Sequence, residues 1–243
     1  MDPEATARAA RDPIVRLGAE FGGSKAFAEV GRRFRLRPLP LYFGGRCAVL
    51  GPVDASVVIA ACGFFAPPLV REAWRDVLAT HRLPGLVAAD ARCCATWARD
   101  HLRCPDPLRA ADLTTRAVAA APSSGRVLFA AWRAVPDPFD DPISCLGVNL
   151  LRLREHRGGG HLMAVLSAGL SPLDAILTGP GGEAKALSNG WLPPYPAPPE
   201  DAVSRLAEAV SRTDVLAAGA FAALSDGERG ELVKLLAATT VTR

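Results

Sequence analysis

Lysine, asparagine and glutamine are almost missing from this chain of 243 residues, which has three lysines, two asparagines and no glutamine. The 28 basic residues are therefore nearly all arginine. Because codons for arginine, alanine, glycine and proline are rich in G and C, this bias is first a genomic signature, typical of a high-GC bacterium such as an actinomycete. An arginine is evidence of anion binding only where its surroundings add to the argument.

A strong net charge is also missing. The formal net charge is +3, and charges of both signs are mixed along most of the chain. A dedicated nucleic-acid binder usually carries a basic stripe and a higher domain charge, so the sequence disfavours nucleic acid as a partner. Hydrophobic residues make up 49% of the chain, which is enough for a packed core and argues against global disorder.

Targeting segments and cysteine motifs are absent as well. The N-terminus has no apolar core of a signal peptide, and no segment reaches the roughly 20 apolar residues needed to span a bilayer, so we expect a cytoplasmic protein without a membrane partner. Six cysteines without a CxxC pair are interpreted as small buried hydrophobes. Cys94, His101 and Cys104 do not have the spacing of a tetrahedral zinc site, so we expect no metal. No motif identifies a cofactor.

Apolar residues at helical spacing recur along the chain, while alternating β patterns are almost absent, which predicts a mainly α, multi-helix bundle. Capping residues predict helix starts after Ser24, Asp54, Asp141 and Ser225. The helix from Asp141 is predicted to stop at the glycines 158–160, and a new one to begin near His161. Residues 179–199 are rich in proline and glycine. We therefore expect a helical core domain at 1–178, a linker or irregular loop at 179–199, and a C-terminal helical segment at 200–243 packed on the core.

One segment, LLRLREHRGGGHLMAVLSAGL at 150–170, concentrates polar residues in an otherwise apolar helical chain. A histidine beside a carboxylate can transfer protons, so the candidate catalytic residues are Glu155, His156 and His161. A helix start after the glycines would offer free N–H groups to an anion, and arginines add paired donors. The candidate substrate-binding residues are Arg46, Asn149, Arg152, Arg154, Arg157, Gly159 and Gly160.

Structural interpretations of the same residues remain open. Basic residues at a helix C-terminus favour the helix dipole, and glycines end helices, so the cluster also fits a structural network. Arg46 lies in apolar surroundings and must therefore be paired or bind a ligand; structural pairing is the favoured interpretation.

Several phrases of the sequence resemble those of an actinobacterial helix-turn-helix-like family of mostly uncharacterised proteins. They are RCAVLGPV at 46–53, VVIAACGFFAPPLVREAW at 57–74, GRVLFAAWRAVPDPFDDP at 125–142 and LREHRGGGH at 153–161. The usual family forms of the first and last read approximately RAAPLGPV and LREHRGDGH. The resemblance extends over most of the chain from about residue 13. It implies a helical fold with a winged-helix-like C-terminal part.

The sequence departs from the family pattern at two places. The interval 192–211, where the family has an extra helix, a turn and a short wing, is largely proline-rich here. We therefore expect a degenerate winged-helix-like C-terminal region. Gly159 stands where the family usually has aspartate, which suggests a pocket retuned toward a more anionic ligand.

Two functional hypotheses remain open. The favoured one is an enzyme, or an enzyme subunit active only with a partner, in actinobacterial specialised (natural-product) metabolism. It would bind a small anionic or polar substrate between helices and support group transfer or cyclisation. The alternative is a metabolite-sensing helix-turn-helix transcriptional regulator. A partner pathway enzyme and a homodimer are both left open as macromolecular partners.

Overall fold

Residues 1–136 and 139–242 are described by a computed structural model of the chain. Two residues of the 125–142 phrase and the last residue of the expected C-terminal segment lie outside this range. The described residues form fourteen α-helices and two very short β-strands, so the predicted mainly α, multi-helix fold is confirmed.

Prolines start many of the helices. A proline occupies the first turn of seven of them, where its missing N–H costs no hydrogen bond. The first seven helices are α1 (Pro3–Ala9), α2 (Arg11–Glu20), α3 (Lys25–Phe34), α4 (Pro38–Cys47), α5 (Ala55–Ala61), α6 (Pro67–Leu78) and α7 (Leu83–His101). The second seven are α8 (Pro107–Ala120), α9 (Val127–Arg133), α10 (Pro142–Ser167), α11 (Pro172–Thr178), α12 (Gly182–Ser188), α13 (Ala202–Ala218) and α14 (Asp226–Ala238).

Helix α10 lies at the centre of the fold and contacts α2, α7, α8, α9 and α13. Apolar side chains occur all around it, as expected for a helix enclosed by others. Its leucines Leu146, Leu150 and Leu153 are fully buried, as are Trp132 and Phe129 of the neighbouring α9. A smaller apolar cluster joins the end of α10 to α11 and α13. The polar residues of the 150–170 segment are therefore held on a central and well-packed helix.

The predicted helix break at Gly158, Gly159 and Gly160 is wrong. Helix α10 runs through all three glycines to Ser167, so the expected anion site at a new helix N-terminus beside His161 is not formed. Close packing explains the glycines better than a turn does. A Cβ at Gly159 would lie 3.1 Å from Cγ of Arg126, so a side chain there would press on the neighbouring segment. Contacts with the surrounding helices outweigh the weak helix propensity of the glycines.

Other helix boundaries also differ from expectation. The helix capped by Asp54 ends at Ala61, and Ala66 is the N-cap of α6. Residues 179–199, expected as a linker or loop, contain α12. The Asn189 side chain of this segment donates to the Phe64 carbonyl oxygen, and Trp191 Nε1 donates to the same atom. Hydrogen bonds thus fix this segment to the loop that follows α5.

The C-terminal region consists of α13, α14 and a two-residue strand. Strand β2 (Thr240–Val241) pairs antiparallel with β1 (Leu102–Arg103), and these are the only strands among the described residues. Helix α13 packs on α1 and α10, and α14 packs on α8. No single helix of the described chain has the length and apolarity to cross a bilayer. Two pairs of consecutive helical segments have this length and apolarity only when the two segments of a pair are taken together, and each pair is bent sharply at the break between its segments.

Candidate functional site

A cavity of about 400 Å³ opens where α4, α5, α10, α11 and α12 meet. Its volume is in the range of small-molecule sites. Aromatic rings of Tyr42, Phe64 and Phe65 form part of the wall, and Ala175 and Ile176 of α11 form another part. Its cationic lining residues are Arg46, Arg154, Arg157 and Lys185. Because no aspartate or glutamate is among the described lining residues, the cavity favours an anion.

Arg46 of the cavity wall forms a buried ion pair with Glu155. Arg46 Nε lies 2.9 Å and 3.1 Å from the two carboxylate oxygens, and Arg46 Nη2 lies 2.9 Å from Oε2. Arg154 Nη1 donates to Oε1 at 2.9 Å. Burial raises the pKa of Glu155, but the charges of Arg46 and Arg154 outweigh this effect and hold the pKa below its usual value. Two guanidinium groups thus share one carboxylate, which leaves positive charge at the cavity.

Arg157 forms the second cationic part of the wall. Its Nη2 lies 2.8 Å from Oδ1 of Asp214, while Arg11 Nη2 lies 2.5 Å from Oδ2 of the same carboxylate. Asp214 is therefore also shared between arginines, and Arg8 Nε lies 3.8 Å from the same Oδ2. Nη1 of Arg157 is buried and has no hydrogen-bond partner in the described part of the chain. A buried donor without a partner is costly.

His161 lies on the cavity wall with its protonation fixed by its neighbours. The Thr213 hydroxyl donates to the Ala209 carbonyl at 2.6 Å, so its oxygen accepts the Nδ1–H of His161 at 3.0 Å. This arrangement leaves Nε2 unprotonated. Burial, together with the charges of Arg157 and Arg11, lowers the pKa of His161, so the ring is neutral at neutral pH. The ring also stacks on Phe64 at 5.5 Å between centroids.

Three of the predicted site residues face away from the cavity. Asn149, Arg152 and His156 do share one side of α10, as their spacing predicts, but that side packs against α8 and α9. Asn149 Nδ2 donates to Thr115 Oγ1 at 2.8 Å. Arg152 donates to the carbonyl oxygens of Trp132 and Val135.

His156 is buried against the Phe129 ring, and burial with the charge of Arg126 lowers its pKa to about 3. Gly159 and Gly160 face Arg126, whereas Gly158 lines the cavity. Glu155 is buried behind the cavity wall and reaches Arg46. The predicted cluster thus divides between two sides of α10.

Asp90 is a buried carboxyl group that the sequence did not indicate. It lies on α7 beside a small void of about 50 Å³ that Arg46 and Glu155 also line. Its Oδ1 has no hydrogen-bond partner among the described residues. Burial, with a contribution from the charge of Glu155, raises the pKa of Asp90 to about 7. A Cβ on Gly45 would meet Oδ1 at 2.4 Å, so the glycine is needed to admit the carboxyl group.

A second concavity of about 860 Å³ lies near α7 and α9. Its lining is mostly aliphatic, and its polar members are His81 and Arg92. This groove therefore offers fewer polar groups for chemistry than the cationic cavity does.

Several residues that line the cavity, or that hold its side chains in place, were missed for a common reason. Tyr42, Phe64, Lys185, Thr213 and Asp214 come from four separate segments, and only tertiary packing brings them to α10. Tyr42 had one usable signal, since it precedes Arg46 by one helical turn and accepts a hydrogen bond from its Nη1. No local pattern marks the other four.

Comparison with known proteins identifies the family of this chain. A model described as the Helix-turn-helix family matches residues 7–195, well over half of the chain, and the chain belongs to that family. No curated protein and no solved structure gives a significant match. The matched range includes the Arg46 and Arg157 parts of the cavity but not α13, which carries Thr213 and Asp214.

Proposed function

We propose that this member of the Helix-turn-helix family binds a small anionic molecule in the cavity between α4, α5, α10, α11 and α12. We further propose that His161 transfers a proton there, as part of a group transfer or a cyclisation in actinobacterial specialised metabolism. The protein would act as an enzyme or as the subunit of one, at the location expected from its sequence, the cytoplasm.

One observation carries the proposal. Four cationic side chains line a cavity of about 400 Å³ that has no carboxylate on its described surface, and the buried Nη1 of Arg157 lacks a hydrogen-bond partner there. A phosphate, sulfate or carboxylate group fits this donor set, because guanidinium groups bind such oxyanions through paired hydrogen bonds. The aromatic and aliphatic walls suit an organic part attached to the anionic group.

His161 supports the catalytic part of the proposal. Its neutral ring keeps a basic Nε2 at neutral pH, while Thr213 holds Nδ1 in place. A general base needs both properties, a free lone pair and a fixed orientation. Once the ring has accepted a proton, nearby Arg157 and Arg11 disfavour the imidazolium, so the ring would readily return the proton to a leaving group.

Anion binding is tested with inorganic sulfate, inorganic phosphate and phenyl phosphate, by calorimetry and thermal unfolding at constant ionic strength. Arg157→Gln is expected to weaken phosphate binding by about ten-fold or more, equal to about 1.4 kcal/mol. The matched control is Arg75→Gln, because Arg75 is exposed on α6 and does not line the cavity. Equal affinity of phosphate for wild type and the Arg157 variant would overturn the proposed site.

His161 is tested with two amide replacements. His161→Asn keeps a donor near Nδ1 for Thr213 but removes the base, whereas His161→Gln places its amide nearer Nε2. Both are expected to bind phosphate within about three-fold of wild type, because the arginines carry that affinity. In a pathway reconstitution, the Asn variant should lose turnover. Full turnover by His161→Asn would refute a proton-transfer role and leave anion binding standing.

The family assignment favours a second candidate, a metabolite-sensing transcriptional regulator that uses the same cavity as its sensor site. Mobility-shift assays with the DNA upstream of its own gene at low salt test this function. Robust binding that falls with added salt and changes with the anionic ligand would establish the regulator and displace the enzyme. The net charge of +3 and the two-residue strands give no support to a DNA-reading surface.

A further inference from the structure

Two cysteines of the cavity wall lie close enough to react with each other. Cys47 ends α4 and Cys62 follows α5, and their sulfur atoms are 3.5 Å apart. Both side chains are buried, but Cys62 lines the cavity whereas Cys47 lies behind it. The pair therefore has one member that faces a route for small molecules and one member that only its partner can reach.

The surroundings of the two sulfurs differ in charge. Arg46 Nη1 lies 3.7 Å from Cys62 Sγ and also donates to the Tyr42 hydroxyl. The hydrogen bond from Cys47 and the charge of Arg46 lower the pKa of Cys62 against the effect of burial. The hydrogen bond to Cys62 and burial raise the pKa of Cys47. Of the two sulfurs, Cys62 thus has the greater thiolate character, and Cys47 favours the protonated form.

We infer that Cys62 and Cys47 form a hydroperoxide-reactive dithiol site, in which Cys62 is the attacking sulfur and Cys47 resolves the product to a disulfide. This inference goes beyond the proposed function, and it depends on the sulfur pair and Arg46 rather than on the anionic ligand.

The reaction proceeds in two balanced steps. The Cys62 thiolate attacks the terminal (hydroxyl) oxygen of a hydroperoxide, so an S–O bond forms, the O–O bond breaks and Cys62 becomes a sulfenic acid. The leaving alkoxide, or hydroxide from hydrogen peroxide, takes a proton from water, and Arg46 and Tyr42 are the polar groups beside it. Cys47 then attacks the sulfenic sulfur of Cys62, the S–S bond forms, and the hydroxyl group leaves with the Cys47 proton as water. Two thiols are oxidised to one disulfide while the hydroperoxide is reduced to an alcohol and water.

The sequence makes the product easy to detect. Trypsin cleaves after Arg46 and after Arg71, so one peptide, 47–71, contains both cysteines and no other. Cys93, Cys94, Cys104 and Cys145 fall in other peptides. After treatment of the full chain with one equivalent of hydrogen peroxide, alkylation and digestion, peptide 47–71 is expected to be lighter by two hydrogen atoms and to carry no alkyl group.

Serine variants separate the two roles. In Cys47→Ser, Cys62 should stop at the sulfenic acid and be labelled by dimedone. In Cys62→Ser, oxidation of peptide 47–71 should slow by about ten-fold or more, because the buried Cys47 lacks thiolate character. Cys104→Ser is the control and should behave as wild type.

Three outcomes would overturn the inference. They are preferential oxidation of Cys104 or Cys145 in the wild type, no dimedone label on Cys62 in the Cys47→Ser variant, and unchanged oxidation in the Cys62→Ser variant. If Cys62→Ser does not fold, the Cys47→Ser labelling decides alone. If phosphate does not bind, the proposed function is overturned, but the inference about the dithiol is unaffected.

Discussion

Asp90 is expected to make the protein less stable as the pH rises, and Asp90→Asn should remove this dependence. The carboxyl group is buried on α7, its Oδ1 has no hydrogen-bond partner in the described chain, and Glu155 adds a negative charge nearby. These causes raise its pKa from 3.8 to about 7. The unfolded chain, in contrast, releases this proton at the ordinary pKa. Between the two values, a rise in pH therefore favours the unfolded state.

The size of the effect follows from the two pKa values. Each pKa unit corresponds to about 1.36 kcal/mol, so the folded state is disfavoured by about 2 kcal/mol at pH 5 and by about 4 kcal/mol at pH 8. The free energy of unfolding of the wild type should fall by roughly 2–3 kcal/mol between these pH values because of Asp90 alone. Asparagine has nearly the same shape and does not titrate, so the variant lacks this loss.

Urea unfolding of wild type and Asp90→Asn at pH 5, 6, 7 and 8 measures the effect. The informative quantity is the difference in unfolding free energy between the two proteins, because contributions from other titrating groups largely cancel in it. That difference should shift in favour of the variant as the pH rises and level off above about pH 7. A difference that stays constant from pH 5 to pH 8 would refute the buried, protonated state of Asp90.

His156 should have the opposite pH dependence, because its pKa of about 3 in the folded protein lies below the unfolded value of 6.5. The free energy of unfolding of wild type should therefore fall by about 2 kcal/mol between pH 8 and pH 5, whereas His156→Asn should not show this fall. Urea unfolding of both proteins measures the difference. Gly158→Ala should stabilise the protein by about 0.5–1 kcal/mol, because its Cβ would meet only Arg46 Nη2 at 3.9 Å, whereas at Gly159 the contact with Arg126 should cancel the gain. Destabilisation of the Gly158 variant in the same assay would argue against a continuous α10.

Much of the helical framework was predictable because capping is local chemistry. The Ser24 hydroxyl accepts from the Phe27 N–H, and Asp141 accepts from the Ser144 N–H, at the helix starts predicted from the sequence. Ser225 and Glu228 form the predicted capping box. Helix α12 was not predictable in the same way, because its good helix formers make a run of only seven residues between glycines and prolines, which is too short to signal a helix without its tertiary contacts.

The candidate site was predictable in composition but not in arrangement. Arg46 in apolar surroundings had to find a partner, and it pairs with Glu155, 109 residues away. Its partner could not be named from the sequence, because the distance along the chain gives no information about packing. Arg46 can also be structurally paired and belong to a ligand site at the same time. One guanidinium group holds Glu155 while the same side chain lines the cavity.

The arrangement on α10 depends on one feature, the continuity of the helix through its glycines. In an unbroken helix, residues at positions i, i+3, i+4 and i+7 share a face. Arg154, Arg157, Gly158 and His161 have this spacing, and all four line the cavity. Had the glycines ended the helix, His161 would have no fixed relation to Arg154. Gly159 and Gly160 therefore pack closely against Arg126 without interrupting the helix, and the continuous helix holds the proposed base and the proposed anion-binding arginines in one rigid register.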